Sequence, residues 1–140
     1  NEFDVVVHAA AVSDFSEASV LTPGGNALDG RTAKLSSGSD LLLRLKSNPK
    51  LLSKIKSWSK NRQVRVVGFK LTDTKDVEQH FEAVKKQFDE SGVDAVVHND
   101  LADISCEAHP FQLYTPMQKP VACEDAEMLA RKIDDLMECA

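Results

Sequence analysis

The chain has 140 residues, 42% hydrophobic and 28% charged, with a formal net charge of −5. This is enough chain for one domain with a core of its own. The acidic balance disfavours non-specific binding to nucleic acid or an anionic membrane, and no apolar run approaches the roughly 20 residues of a membrane span.

The first apolar run, Val5-Val6-Val7, passes into Ala9-Ala10-Ala11 and then into polar Ser13 and Asp14. Such a run suits a strand buried on both faces, as in a helix-covered parallel sheet. The chain begins almost on this strand, so further residues are expected upstream. A loop is predicted from Ser13 to about Ala33, carrying the turn residues Pro23-Gly24-Gly25-Asn26 and Asp29-Gly30. Residues 39 to 46 alternate, with Leu41, Leu43 and Leu45 opposite Leu42, Arg44 and Lys46; this is the period of a half-buried strand, although a short helix also fits.

Asn48-Pro49 reads as a helix start, with asparagine as cap. Leu51, Leu52, Ile55 and Trp58 continue the helix to about Ser59. Arg65 to Phe69 is a second buried strand. Val77, Phe81, Val84 and Phe88 form the apolar stripe of a longer helix, which Gly92 is placed to end. Val93 to His98 is a third buried strand, ending in Asn99-Asp100. Phe111, Leu113 and Pro120 to Ala122 suggest a short hairpin. The last helix runs from about Glu124, with Leu129, Ile133, Leu136 and Met137 on its core face. Strands alternating with helices predict an α/β fold around a mostly parallel sheet flanked by helices.

Cys106, Cys123 and Cys139 are odd in number and widely spaced, with no Cys-x-x-Cys pair. They fit a reducing, cytoplasmic setting and inert or buried thiols. His8, His80, His98 and His109 show no metal-ligand spacing, and no carboxylate cluster completes one, so no metal is assigned to protein side chains. There is no P-loop, Gly-x-Gly-x-x-Gly or Gly-x-Ser-x-Gly motif.

In such a fold, ligands collect at the carboxyl ends of the strands. Those ends carry Ala9-Ala10-Ala11 with Asp14, Gly68-Phe69-Lys70, and His98-Asn99-Asp100. Small residues, an aromatic ring and amide or carboxylate groups suit a nucleotide better than an apolar ligand. Each residue also has a plainer reading. Asp14 is either an acceptor for a base or ribose, or a turn cap. Lys34, within Lys34-Leu35-Ser36-Ser37-Gly38, is either a phosphate-holding charge or a solvated loop lysine. Phe69 is either a ring against a ligand or part of the core. Lys85 and Lys86, with Lys70 and Lys75 nearby in sequence, either neutralise a triphosphate or form the wet side of a helix.

Taken in order, His8-Ala9-Ala10-Ala11-Val12-Ser13-Asp14-Phe15, Lys34-Leu35-Ser36-Ser37, Asn48-Pro49-Lys50-Leu51-Leu52, Val66-Val67-Gly68-Phe69-Lys70-Leu71-Thr72 and Asn99-Asp100 form a recognisable series. The chain resembles the C-terminal portion of the phosphopantothenoylcysteine synthetases, the phosphopantothenate–cysteine ligases of coenzyme A biosynthesis. The similarity runs from residue 3 to at least Asp100. The resemblance implies a Rossmann-like, dimeric ligase that activates the carboxylate of 4′-phosphopantothenate with CTP or ATP and Mg2+, then joins it to cysteine through an acyl-nucleotide. It also implies a single, partial nucleotide-binding domain over residues 1–140, with a flap or lid over residues 13–38.

Carried over by position, Ala9, Ala10 and Ala11 would floor the nucleotide site and Asp14 would hydrogen-bond the nucleotide. Asn48, Pro49, Lys50, Leu51 and Phe69 would lie around base and ribose, and Lys34 would be the catalytic flap lysine. Some members carry two further lysines after the Gly-Phe strand; here Gln87 and Ser91 match them in one alignment and Lys86 in another. His98 stands where alanine is commoner. The family's N-terminal glycine-rich segment, with its Ser-Asn-x-Ser-Ser-Gly run, has no counterpart here, nor has a flavin-binding half, so the chain is expected to be an incomplete fragment, without flavin and inactive alone. Two alternatives stay open: a non-catalytic nucleotide-binding module of the same fold, and, with less local support, an NAD(P)-dependent oxidoreductase.

Overall fold

The computed structural model describes residues 3–28, 38 and 40–138. It divides into two compact units, Asn1–Ala10 with Leu51–Ala140, and Ala11–Lys50.

The larger unit is built on a five-stranded sheet in the order β1-β5-β6-β7-β8. Its first three strands, β1 (Val5–His8), β5 (Arg65–Thr72) and β6 (Ala95–Asp100), are parallel, with Val6 opposite Val66 and Val67 opposite Ala95. The expected C-terminal hairpin, β7 (Phe111–Tyr114) and β8 (Val121–Cys123), extends the sheet antiparallel from β6. The two buried strands are as predicted. Val66, Val67, Val96 and Val97 are at most 1% exposed, which explains why both runs are continuous rather than alternating. Among the described residues β1 lies at the sheet edge, is only half-buried, and leaves Val7 exposed.

Alternation along each strand splits the core into two layers. On one face, Val67, Ala95, Val97, Phe111 and Leu113 pack with Leu129 and Ile133 of helix α3 (Ala126–Glu138). On the other, Val66 and Val96 pack with Val84 of helix α2 (Val77–Ser91) and with Val93. The Asp76 carboxylate caps α2 by accepting from Glu78 N at 2.9 Å, and Gly92 ends it in the left-handed region at φ 60°. The Asp125 carboxylate accepts from Met128 N at the start of α3.

The stripe predicted for α2 is rotated. Val84 and Phe88 face inward, but Val77 and Phe81 are exposed, and His80 and Gln87 turn toward the sheet instead. A helix from Asn48-Pro49 does not form either. A 3-10 turn at Leu52–Lys54 leads into the one-turn helix α1 (Ile55–Trp58), with Leu51 as an uncapped start and Trp58 exposed. Asn48 is drawn away because its side chain has another partner, described below.

The smaller unit is a three-stranded antiparallel sheet, β3-β2-β4. Strands β2 (Phe15–Leu21) and β3 (Ala27–Leu28) occupy much of the stretch read as loop, and the Pro23–Asn26 turn connects them. Strand β4 (Leu42–Ser47) pairs with β2 across an irregularity between Glu17 and Ser19. It is not the half-buried strand its alternation predicts, because every residue in it is exposed. Among the described residues, no helix is long and apolar enough to cross a membrane.

Candidate functional site

The carboxyl ends of β5 and β6 lie side by side, with Lys70 opposite His98 and Thr72 opposite Asp100. His98 and Asp100 are two residues apart on one strand, so both point to the α2 face, continuing the row begun by Val96. His98 is 4% exposed and Asp100 2%. His80 reaches them from α2, its ring centroid 4.7 Å from that of His98 and its Nε2 3.0 Å from Asp100 Oδ2.

This cluster is closely hydrogen-bonded. The Thr72 hydroxyl donates to Asp100 Oδ2 at 2.5 Å, and Thr72 Oγ1 lies 2.8 Å from His98 Nε2. Because that hydroxyl gives its only proton to the carboxylate, it accepts from a protonated His98 Nε2. Backbone amides of Thr74 and Ala102 donate to Asp100 Oδ2 and Oδ1. His80 Nε2 faces two acceptors, Asp100 Oδ2 and the Thr74 carbonyl at 2.5 Å, so it too carries a proton. The Thr72 hydrogen bond, foremost, holds the Asp100 carboxyl well below the usual carboxylate range. Burial, and then the neighbouring His80, push His98 below the ordinary histidine value.

The cluster forms one wall of a cleft of about 510 Å³, with Lys75, Asn99, Phe111 and Tyr114 also lining it. Asn99 Nδ2 is 3.0 Å from His109 Nε2, and the His109 ring stacks on Phe111 at 4.5 Å. The cleft joins aromatic surface to amide, imidazole, carboxylate and ammonium groups, a mixture suited to a small polar ligand. The sequence puts His98-Asn99-Asp100 at a strand end but shows no link to His80. The available signal was the His98-x-Asp100 spacing on a strand; the partner 18 residues earlier needs the helix rotation to be known.

Of the residues singled out from sequence, Phe69 is half-buried and meets Phe111 edge-to-face at 6.5 Å. Gly68 is buried because α2 and the 3-10 turn press on it: a Cβ there would lie 2.5 Å from Gln87 Nε2 and 2.9 Å from Leu52 Cδ2. Gln87 donates to the Phe69 carbonyl at 3.3 Å. Lys86, one residue earlier, is exposed and pairs with Glu90 at 3.7 Å. Ala9 and Ala10 are exposed, and Leu51 is half-buried.

Within the smaller unit, two motifs distant in sequence come together. Asn48 N donates to the Asp14 carbonyl at 2.8 Å, and Asn48 Nδ2 donates to Ser13 O at 3.0 Å. Lys50 Nζ is 2.5 Å from Asp14 Oδ1. Ala11 and Pro49 are exposed. Asn48 thus ties β4 to the segment before β2 rather than capping a helix. Lys34 and its neighbours 31–37 lie outside the described residues. Cys106 is exposed, whereas Cys123 is buried and its thiol pushed up by that burial; Cys139 lies outside the described residues.

Comparison with known proteins gives a consistent result. Residues 1–137 match the model of the DNA/pantothenate metabolism flavoprotein C-terminal domain. The chain is 36% identical over 112 residues to the coenzyme A biosynthesis bifunctional protein CoaBC of Thermococcus kodakarensis, covering 80% of this chain and 25% of the relative. It is 29% identical over 101 residues to the protein of that name from Methanocaldococcus jannaschii, covering 72% and 22%. The chain therefore spans about a quarter of the length of these relatives. Among solved structures, the DNA/pantothenate metabolism flavoprotein from Streptococcus pneumoniae superposes with a TM-score of 0.81 at 23% identity, over 98% of this chain and 63% of that one. The C-terminal domain of a CoaBC protein gives 0.59 at 20% identity, over 97% and 54%. A Cab2 mutant in complex with phosphopantothenate-cysteine gives 0.63 at 20% identity, over 93% and 42%. At these identities the likeness to solved structures speaks for the α/β, Rossmann-like fold alone, and the family follows from the match over nearly the whole chain: this chain belongs to the DNA/pantothenate metabolism flavoprotein C-terminal domain family.

Proposed function

We propose that this chain is the nucleotide-handling part of a phosphopantothenate–cysteine ligase of coenzyme A biosynthesis, acting in the cytoplasm. The observation that carries the reading is the meeting of Asp14 with Asn48 and Lys50, two motifs more than thirty residues apart that the resemblance assigns to one nucleotide. The family match and the CoaBC relatives support the same role.

A carboxylate is a poor electrophile, so the reaction must first give it a leaving group. The carboxylate oxygen of 4′-phosphopantothenate attacks the α-phosphorus of CTP or ATP, and pyrophosphate leaves. The cysteine amine then attacks the acyl carbon of the mixed anhydride; the nucleoside monophosphate leaves and the amine loses a proton. Both steps crowd negative charge, so catalysis asks for fixed positive charge and orientation. Lys34 supplies that charge from the flap, and Mg2+ enters with the triphosphate. Asp14, Asn48, Pro49 and Lys50 are assigned to base and ribose in the smaller unit. Ala11 belongs to that unit as well; the resemblance also names Ala9, Ala10, Leu51, Phe69 and Lys86, which belong to the larger unit. The exposed leucines of β4, with Leu43 at 64% and Leu45 at 56%, support a homodimer in which a second copy covers that sheet.

Titration calorimetry with CTP and ATP tests the reading and chooses the nucleotide. Heat from one of them is expected; no heat from either in a folded sample overturns it. In the complete enzyme, Lys34→Ala is expected to lower kcat far more than nucleotide affinity, and an unchanged kcat rejects the role given to Lys34. Rescue of a strain lacking the ligase separates the enzyme from a mere binding module.

A further inference from the structure

The His80–His98–Asp100 cluster is not used by the ligase reading, and its geometry invites a different occupant. One donor atom from each of the three residues lies within 4.8 Å of the other two. A tetrahedral zinc ion with bonds of about 2.0–2.1 Å needs its ligands about 3.3 Å apart, so side-chain shifts of about 1 Å close the set. His80 and His98 present Nε2 toward the Asp100–Thr72 side, and His80 Nε2 already sits 3.0 Å from Asp100 Oδ2. Two imidazoles and one carboxylate are the donor set that zinc-class divalent ions take at open sites.

The surroundings are those of a metal's outer shell. The Asp100 carboxylate is fixed by the Thr72 hydroxyl and by the amides of Thr74 and Ala102, with His80 beside it at 3.0 Å. Such partners orient ligating groups and tune affinity. His98 and Asp100 are buried on β6, while His80 sits on α2 at the cleft wall with its side chain 16% exposed. An ion at this point has three protein ligands and a fourth position open to the cleft.

We propose that His80, His98 and Asp100 form a binding site for a zinc-class divalent transition ion, with the fourth position held by water or an anionic ligand in the cleft. On binding, each imidazole ligates through the Nε2 lone pair, so its Nε2 proton moves to Nδ1 or passes to solvent. Two neutral imidazoles and one carboxylate leave the bound dication with a net positive charge. The cleft then gains an anchor for anions beside Lys75.

Cobalt titration of the chelator-stripped chain tests this directly. One equivalent of Co2+ is expected to give visible d–d absorption, to be displaced by Zn2+, and to broaden the imidazole proton signals of His80 and His98. His80→Gln, on the least buried of the three, should remove the band and weaken Co2+ more than about 100-fold with the circular dichroism spectrum unchanged. Thr72→Ser, which keeps the outer-shell hydroxyl, should keep the band, whereas Thr72→Val should weaken Co2+ by about 10–100-fold. The absence of a band and of paramagnetic broadening at millimolar Co2+ overturns the proposal. So does a band that survives His80→Gln or that is lost instead in His109→Ala or Cys106→Ser.

Discussion

Gly68→Ala is a sharp test of how the sheet and α2 are fitted together. The new Cβ would stand 2.5 Å from Gln87 Nε2 and 2.9 Å from Leu52 Cδ2, against about 3.4 Å for an ordinary contact, while Val93 Cγ1 at 3.5 Å needs no adjustment. Both crowded atoms are ends of flexible side chains, so they can move. The Gln87 amide gives up its hydrogen bond to the Phe69 carbonyl, which costs about 0.5–1.5 kcal/mol. Leu52 leaves its rotamer for about as much again. The lower entropy of the unfolded alanine chain offsets about 0.4–1 kcal/mol of this. A net loss of about 1–2 kcal/mol is expected, lowering the urea midpoint by about 0.5–1 M. Equilibrium unfolding of Gly68→Ala, Gln87→Ala and the double variant reads the coupling. Gly68→Ala should cost at least about 0.5 kcal/mol less once Gln87 is truncated. A strictly additive cycle, or a neutral Gly68→Ala, refutes the steric account.

Three further outcomes are expected. Thr72→Val strands the buried His98 Nε2–H and should cost about 1–3 kcal/mol in urea unfolding, whereas Thr72→Ser should cost less; equal losses would show that the hydroxyl is not the hub. His98 is held below its ordinary value, so the unfolded chain takes up a proton first as pH falls through about 6.5. Stability should therefore be intact above that pH and decline below it, with Asp100 adding a second decline once pH passes below its unfolded value near 3.8; urea midpoints that stay level between about pH 7 and 5 would contradict this. Asp14→Asn removes an exposed ion pair, contributing about 0–1 kcal/mol, and should leave the unfolding midpoint nearly unchanged while weakening CTP or ATP in calorimetry; unaltered nucleotide affinity would remove Asp14 from the site.

What sequence reading reached, and what it missed, follows from burial. Residues 66–68 and 95–98 are buried on both faces, so the apolar runs there are unbroken and legible. Gly92 marks the end of α2 because the left-handed turn there favours glycine. The smaller unit was illegible for the opposite reason: β2 and β4 satisfy their backbones in a sheet whose side chains are mostly open to solvent, and no burial pattern marks them. Asn48 reads as a helix cap because a local cap and a distant bond to Ser13 look alike in sequence. On α2, Val77 and Phe81 advertise an apolar stripe that the sheet does not use, while His80 and Gln87 turn inward to polar partners at the strand ends. The histidine–aspartate cluster was hidden by that same rotation.

After His8 the polypeptide leaves the main sheet and rejoins its neighbour only at Arg65, yet Val5 and Arg65 stand opposite each other. Closing such an excursion costs free energy that rises only with the logarithm of its length, about 0.6 kcal/mol for each doubling. Relatives are thus free to vary the length of turns within that stretch, such as residues 23–26, while the meeting of Asp14 with Asn48 and Lys50 and the packing of Leu52 and Ile55 on the sheet hold the rest in place. Such turns are where this architecture tolerates novelty, and differences in length among relatives should fall there rather than in the strands.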